Sequence, residues 1–124
     1  DIFDAGADLI IPVPLHFTRM IKRKYNQSAM LSYALSEMCH IPADYKSLKK
    51  IRRTKPQVHC NGKQRLRNVK NAFEVVHPEN VKGKRIILID DVYTTGSTLR
   101  ECAKALKKAG AKSVDALTVA RVCD

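Results

Sequence analysis

The stretch that most constrains the fold runs from Arg85 to Leu99 and reads RIILIDDVYTTGSTL. Ile86, Ile87, Leu88 and Ile89 form an unbroken apolar run. A run without alternation suits a strand covered on both faces, as in a parallel sheet between helices. It ends in two adjacent carboxylates, Asp90 and Asp91, followed by the small, hydroxyl-rich segment Thr94-Thr95-Gly96-Ser97-Thr98. Leu99, Cys102, Ala103 and Leu106 then recur at helical spacing, and Gly110 is a fitting stop. The pattern predicts strand, acidic turn, loop and helix, in that order.

Such an order suits an anionic ligand. A loop that opens a helix presents backbone N–H groups, and the helix dipole adds partial positive charge, worth up to about 2 kcal/mol to a phosphate. Gly96 allows close approach of the backbone, while Thr94, Thr95, Ser97 and Thr98 add hydroxyl donors. Carboxylates at the carboxyl end of a strand accept hydrogen bonds from sugar hydroxyls and attract Mg²⁺. A buried strand with a Thr or Ser helix cap would explain Ile86 to Ile89 and one threonine. It would not explain two carboxylates and four hydroxyls around a glycine.

The stretch resembles the phosphoribosyl-pyrophosphate (PRPP) motif of type I phosphoribosyltransferases: four apolar residues, two acids, two apolar residues, then Thr-Thr-Gly-x-Thr. Tyr93 counts as apolar in that match. The resemblance implies an α/β fold with a mostly parallel sheet and helices on both faces.

A chain of 124 residues suits a single domain spanning 1–124. No apolar run is long enough to span a membrane and no signal peptide is visible, so membrane insertion is not expected. Cys39, Cys60, Cys102 and Cys123 form no CxxC pair, which argues against zinc and fits a reduced, cytoplasmic setting. The formal net charge is +11, and between Leu9 and Ala72 Glu37 and Asp44 stand alone against fourteen Lys and Arg. A field of one sign favours an anionic partner, a polyphosphate or a nucleic acid, although a solvated basic surface would look the same.

Along the chain, Asp8–Val13 reads as a buried strand ended by Pro12 and Pro14. The basic run through Arg19, Lys22, Arg23 and Lys24 reads equally as a pyrophosphate loop or as the exposed side of a short helix. Ser28–Met38 reads as an amphipathic helix whose Met30, Leu31, Ala34, Leu35 and Met38 stripe faces the core. Leu48–Thr54 and Ala72–Val76 read as strands flanking a long polar loop, and Ser113–Arg121 as the last parallel strand.

Further segments carry a narrower resemblance. Ile11-Pro12-Val13-Pro14-Leu15-His16 with Arg19, then Arg23-Lys24-Tyr25-Asn26-Gln27, then Arg65-Leu66-Arg67-Asn68-Val69 with Ala72-Phe73, precede the PRPP motif in this order. Together they are similar to the ComF family of competence-associated, phosphoribosyltransferase-like proteins, over about Leu9 to Arg121. Lys24 stands where that family more often has Gly, and its four-cysteine N-terminal zinc module has no counterpart here.

The resemblance implies that Thr94 to Thr98 hold the 5′-phosphate of PRPP. Asp90 and Asp91 would face the ribose hydroxyls, with Mg²⁺ bridging ribose and pyrophosphate. Leu15 and His16 would form the pyrophosphate loop, with Arg23, Asn26 and Gln27 nearby. A loop through Gln57, Arg65 and Asn68 would close over the site. Single-stranded DNA is a second expected partner, and related folds often pair as homodimers. Tyr25 and Phe73 are stacking candidates with core packing the simpler role.

Overall fold

A computed structural model of the chain describes residues 6–14, 27–51, 70–93 and 96–121. Its centre is a parallel sheet of three strands, β1 (Leu9–Pro12), β4 (Arg85–Tyr93) and β5 (Ser113–Arg121), in the order β1-β4-β5. Leu9 lies opposite Ile86 in one pairing, and Arg85 lies opposite Ser113 in the other. The segment after the first helix adds one parallel bridge, Ala43 to Ile10, on the free side of β1.

The apolar run is buried on both faces, and alternation along β4 sorts it. Ile86 and Leu88 turn toward helix α2 (Ser97–Lys108), where they meet Leu9, Ile11, Leu99, Cys102 and Leu106. Ile87 and Ile89 turn toward helix α1 (Gln27–Cys39), where they meet Ile10, Ile41, Leu31 and Leu35. Each such side chain contributes about 1.5–3 kcal/mol on burial. Helices therefore cover both faces, as the sequence predicts.

The two short strands β2 (Leu48–Lys50) and β3 (Phe73–Val75) pair with each other as a separate antiparallel ribbon. The ribbon closes the α2 side of the core with Leu48 and Phe73. Phe73 is thus a core residue, with the Lys50 ammonium 5.9 Å from its ring centre. A tight turn over Pro78–Asn80 leads back to β4.

Two readings need correction. The acids do not end β4, because its pairing with β5 continues to Tyr93 and Arg121. Ladder hydrogen bonds belong to the backbone and are indifferent to the side chains of Asp90 and Asp91. The inward face of α1 is also not the methionine stripe. Met30, Ala34 and Met38 are exposed, whereas Ser28 and Ser32 are buried beside half-buried Leu31 and Leu35. The Ser32 hydroxyl donates to the Ser28 carbonyl at 2.8 Å, so burial leaves it satisfied. The helix stops at His40, whose φ of 57° takes the left-handed conformation that closes helices.

Candidate anion site at the carboxyl end of the sheet

Strand β4 brings Asp90 and Asp91 to the carboxyl end of the sheet, the end at which open α/β sheets bind ligands. Asp90 is half-buried and lies opposite Thr118 of β5. Thr118 is a neighbour that only register supplies; no local sequence signal pairs it with Asp90. The Asp90 carboxylate is close enough to Cys102 to act on its thiol. Burial pushes that thiol well above its ordinary value, and the aspartate adds to the rise. Cys102 is therefore a neutral core group and no nucleophile.

The helix that follows is capped by Gly96 at φ 80° and ψ 0°, the left-handed region where a side chain is strained. A glycine cap carries no side chain to occupy the first-turn N–H groups. Ser97 is buried and Thr98 half-buried at that turn. The Arg100 N–H donates to the Gly96 carbonyl at 2.9 Å, which fixes the first turn. No acid lies in that turn. A dipole end with a glycine cap and no acid in its first turn is the kind of helix terminus at which an anion is stabilised.

Gln27 opens α1 and is exposed. Because β1 and the Ala43 bridge run parallel, α1 runs back between them and starts at the same end of the sheet. Two helix N-termini and the acidic pair thus share one edge. Of the residues expected at the site, the structure brings Asp90, Asp91, Gly96, Ser97, Thr98 and Gln27 to that edge. For Asp91 it describes the backbone. Thr94, Thr95, Leu15, His16, Arg23, Asn26, Gln57, Arg65 and Asn68 lie outside the described residues, as does Tyr25. The base of the expected closing loop is tied to α2, where the Asn71 N–H donates to Glu101 Oε1 at 3.0 Å.

Among the described residues no cluster of three His, Cys, Asp or Glu side chains could hold a metal. The acids of β4, Asp90 and Asp91, are oxygen donors of the kind Mg²⁺ takes when it arrives with a polyphosphate, one or two carboxylates completed by phosphate oxygens and water.

The family model described as "Phosphoribosyl transferase domain" matches residues 7–122, nearly the whole chain. The chain belongs to the phosphoribosyl transferase domain family. Among curated proteins it is 40% identical over 115 residues to Competence protein F of Haemophilus influenzae, covering 92% of this chain and 50% of that one. It is 39% identical over 114 residues to DNA utilization protein YhgH of Escherichia coli O157:H7, covering 92% of this chain and 49% of that one. The chain thus spans about half the length of these relatives. A purine phosphoribosyltransferase from Pyrococcus horikoshii Ot3 shares the fold, with a TM-score of 0.61 at 18% identity, over 97% of this chain and 65% of that one. The phosphoribosyltransferase fold and the competence-protein resemblance expected from the sequence both hold. No helix among the described residues is long and apolar enough to cross a membrane.

Proposed function

We propose that the chain is the PRPP-binding part of a competence-family protein. It would transfer ribose 5-phosphate from PRPP to a nitrogen acceptor, with release of pyrophosphate. The observation that carries this reading is the run of β4 acids into a helix capped by left-handed Gly96. The two acidic positions and that helix end share the carboxyl edge of the sheet, which supports the reading.

In this reading the α2 N-terminus, with Thr94, Thr95, Ser97 and Thr98, grips the 5′-phosphate and fixes the sugar. Asp90 and Asp91 hold the ribose hydroxyls and stabilise positive character on the ring as the bond to pyrophosphate breaks. The nitrogen lone pair forms the new bond to the anomeric carbon, and pyrophosphate leaves with the electrons of the old one. Mg²⁺, when bound, neutralises charge on the leaving group. Leu15, His16, Arg23, Asn26 and Gln27 line the leaving-group side. The loop with Gln57, Arg65 and Asn68 closes to exclude water, which would attack the same carbon. A cytoplasmic location fits PRPP as substrate.

The second reading is a single-stranded DNA-binding module that keeps the PRPP fold as sensor or scaffold. The net charge of +11 and the likeness to Competence protein F and DNA utilization protein YhgH favour it. Calorimetric titration of PRPP with Mg²⁺, repeated with a short single-stranded DNA present, separates the two. Heat from PRPP supports the first reading. Heat from DNA alone leaves the second.

A further inference from the structure

Strand β2 reads Leu48-Lys49-Lys50, and side chains alternate along it. Leu48 is buried in the core against α2, Lys49 is exposed, and Lys50 is half-buried on the same side as Leu48. Lys49 lies opposite Glu74 on the outer side of the ribbon, both exposed, so that lysine faces an acid across the pair. Lys50 instead stands on the inward side, where packing alone calls for an apolar residue. In the sequence it is one of a basic run, Lys49-Lys50-Ile51-Arg52-Arg53, and strand pairing is what turns it inward.

The core accommodates it through its stem. Its cross-strand partner is Phe73, 8% exposed, and the ammonium stands 5.9 Å from the centre of that ring. The methylene chain is covered there while the ring face favours the charge.

The end of the ribbon that carries Lys50 lies against the early turns of α2. The Ile51 N–H donates to the Ala72 carbonyl at 2.7 Å. The neighbouring Asn71 donates its N–H to Glu101 Oε1 at 3.0 Å, and Glu101 is about one turn beyond the start of α2. Along β4, Asp90 follows Ile86 and Leu88 on the face toward the same helix. Cys102, fully buried on α2, is the neighbour common to both charges. Burial is the main cause of its raised thiol, Asp90 adds to the rise, and the Lys50 ammonium works against it. An inward lysine and the first acid of β4 therefore meet under the first turns of α2.

We propose that Lys50 is a substrate-binding residue of this edge, its ammonium holding the pyrophosphate of PRPP next to the ribose hydroxyls that Asp90 accepts from. The inference rests on the PRPP reading of the edge. In PRPP the diphosphate is borne by the anomeric carbon, and the adjoining carbon bears a hydroxyl. Receptors for the two groups must be neighbours, one acidic and one basic, as Asp90 and Lys50 are. The 5′-phosphate is at the far end of the sugar and has the α2 N-terminus. A lysine ammonium is a compact point charge, suited to a leaving group whose negative charge grows as its bond breaks.

The experiment is calorimetric titration, with Mg²⁺ present, of wild type, Lys50→Met and Lys50→Arg with three ligands: PRPP, inorganic pyrophosphate and ribose 5-phosphate. Methionine keeps an apolar stem over Phe73 and removes the charge. Thermal melting first shows that each variant folds, and Lys50→Gln serves if Lys50→Met does not. Lys50→Met should weaken PRPP and pyrophosphate by ~10–100-fold, the worth of a hydrogen bond to a charged group, and leave ribose 5-phosphate within about twofold of wild type. Lys50→Arg should recover most of the loss. Wild-type affinity of Lys50→Met for PRPP overturns the proposal. So does an equal loss for ribose 5-phosphate, which would make the lysine a support of the whole edge. Lys50→Arg binding as weakly as Lys50→Met, with both melting early, would reduce Lys50 to packing and also overturn it. Wild type giving no heat with PRPP fails the reading of the edge itself, and the lysine with it, whereas wild-type heat that Lys50→Met preserves fails the lysine alone.

Discussion

At its carboxyl end β4 delivers an acidic pair and, a few residues on, a glycine-capped helix, all within the fifteen positions of Arg85–Leu99. At its amino end the cations come from two turns, with Lys82 and Lys112 thirty positions apart. The ends differ in how they are encoded. Each also sets side-chain charge against the sign of the helix end beside it: carboxylates by the α2 N-terminus, Lys107 and Lys108 at its C-terminus. A site written in one contiguous stretch announces itself in sequence, whereas a surface stitched from separate turns exists only once the chain folds.

The sharpest way to break this contrast is to remove the acids. Asp90→Asn/Asp91→Asn should abolish Mg²⁺-dependent PRPP heat and pyrophosphate release; retained heat in calorimetry would remove the carboxylates from the pocket. A cut in the shared strand should instead damage both ends. Leu88 is fully buried, so Leu88→Ala should cost about 2–5 kcal/mol in urea unfolding, and a loss below 1 would deny β4 its central place. Gly96→Ala puts a side chain at φ 80°, which should cost ~1–2 kcal/mol and weaken PRPP binding. Unchanged melting and unchanged PRPP affinity would show that the left-handed cap is not required.

The smallest effect belongs to the amino end. Burial pushes the Asp44 carboxyl up, but the Ser47 hydroxyl and the Lys46 and Ser47 N–H groups outweigh it and hold the group below its ordinary value. A depressed carboxyl stabilises the fold above its ordinary pKa of about 4, and that contribution fades as pH falls through the lowered value. Urea midpoints of wild type should therefore fall more steeply below about pH 4 than those of Asp44→Asn. Parallel curves would remove Asp44 from the acid response.

Much of the frame was readable in the residues. The buried strands, the α2 spacing through Leu99, Cys102 and Leu106, and the Gly110 stop follow from period and turn chemistry. What escaped was set by partners remote in sequence. The extension of β4 past its acids depends on β5, and the β2–β3 ribbon stands apart from the main sheet. The face of α1 was misread because a serine that bonds its own helix can be buried as quietly as an alanine, while Met30 and Met38 reach outward. Most of the expected pyrophosphate and closing-loop positions, His16, Arg65 and Asn68 among them, fall outside the described residues.

The buried serines of α1 have one more consequence. Against the sheet α2 sinks Leu99, Cys102 and Leu106, whereas α1 sinks Ser28 and Ser32 with Leu31 and Leu35 only partly covered. Few apolar anchors mean a low free energy of local opening. Amide protons of α1 should trade for deuterium well before those of α2, and α1 begins at the edge where ligand would enter. One layer of this sandwich can breathe while the other keeps the sheet intact.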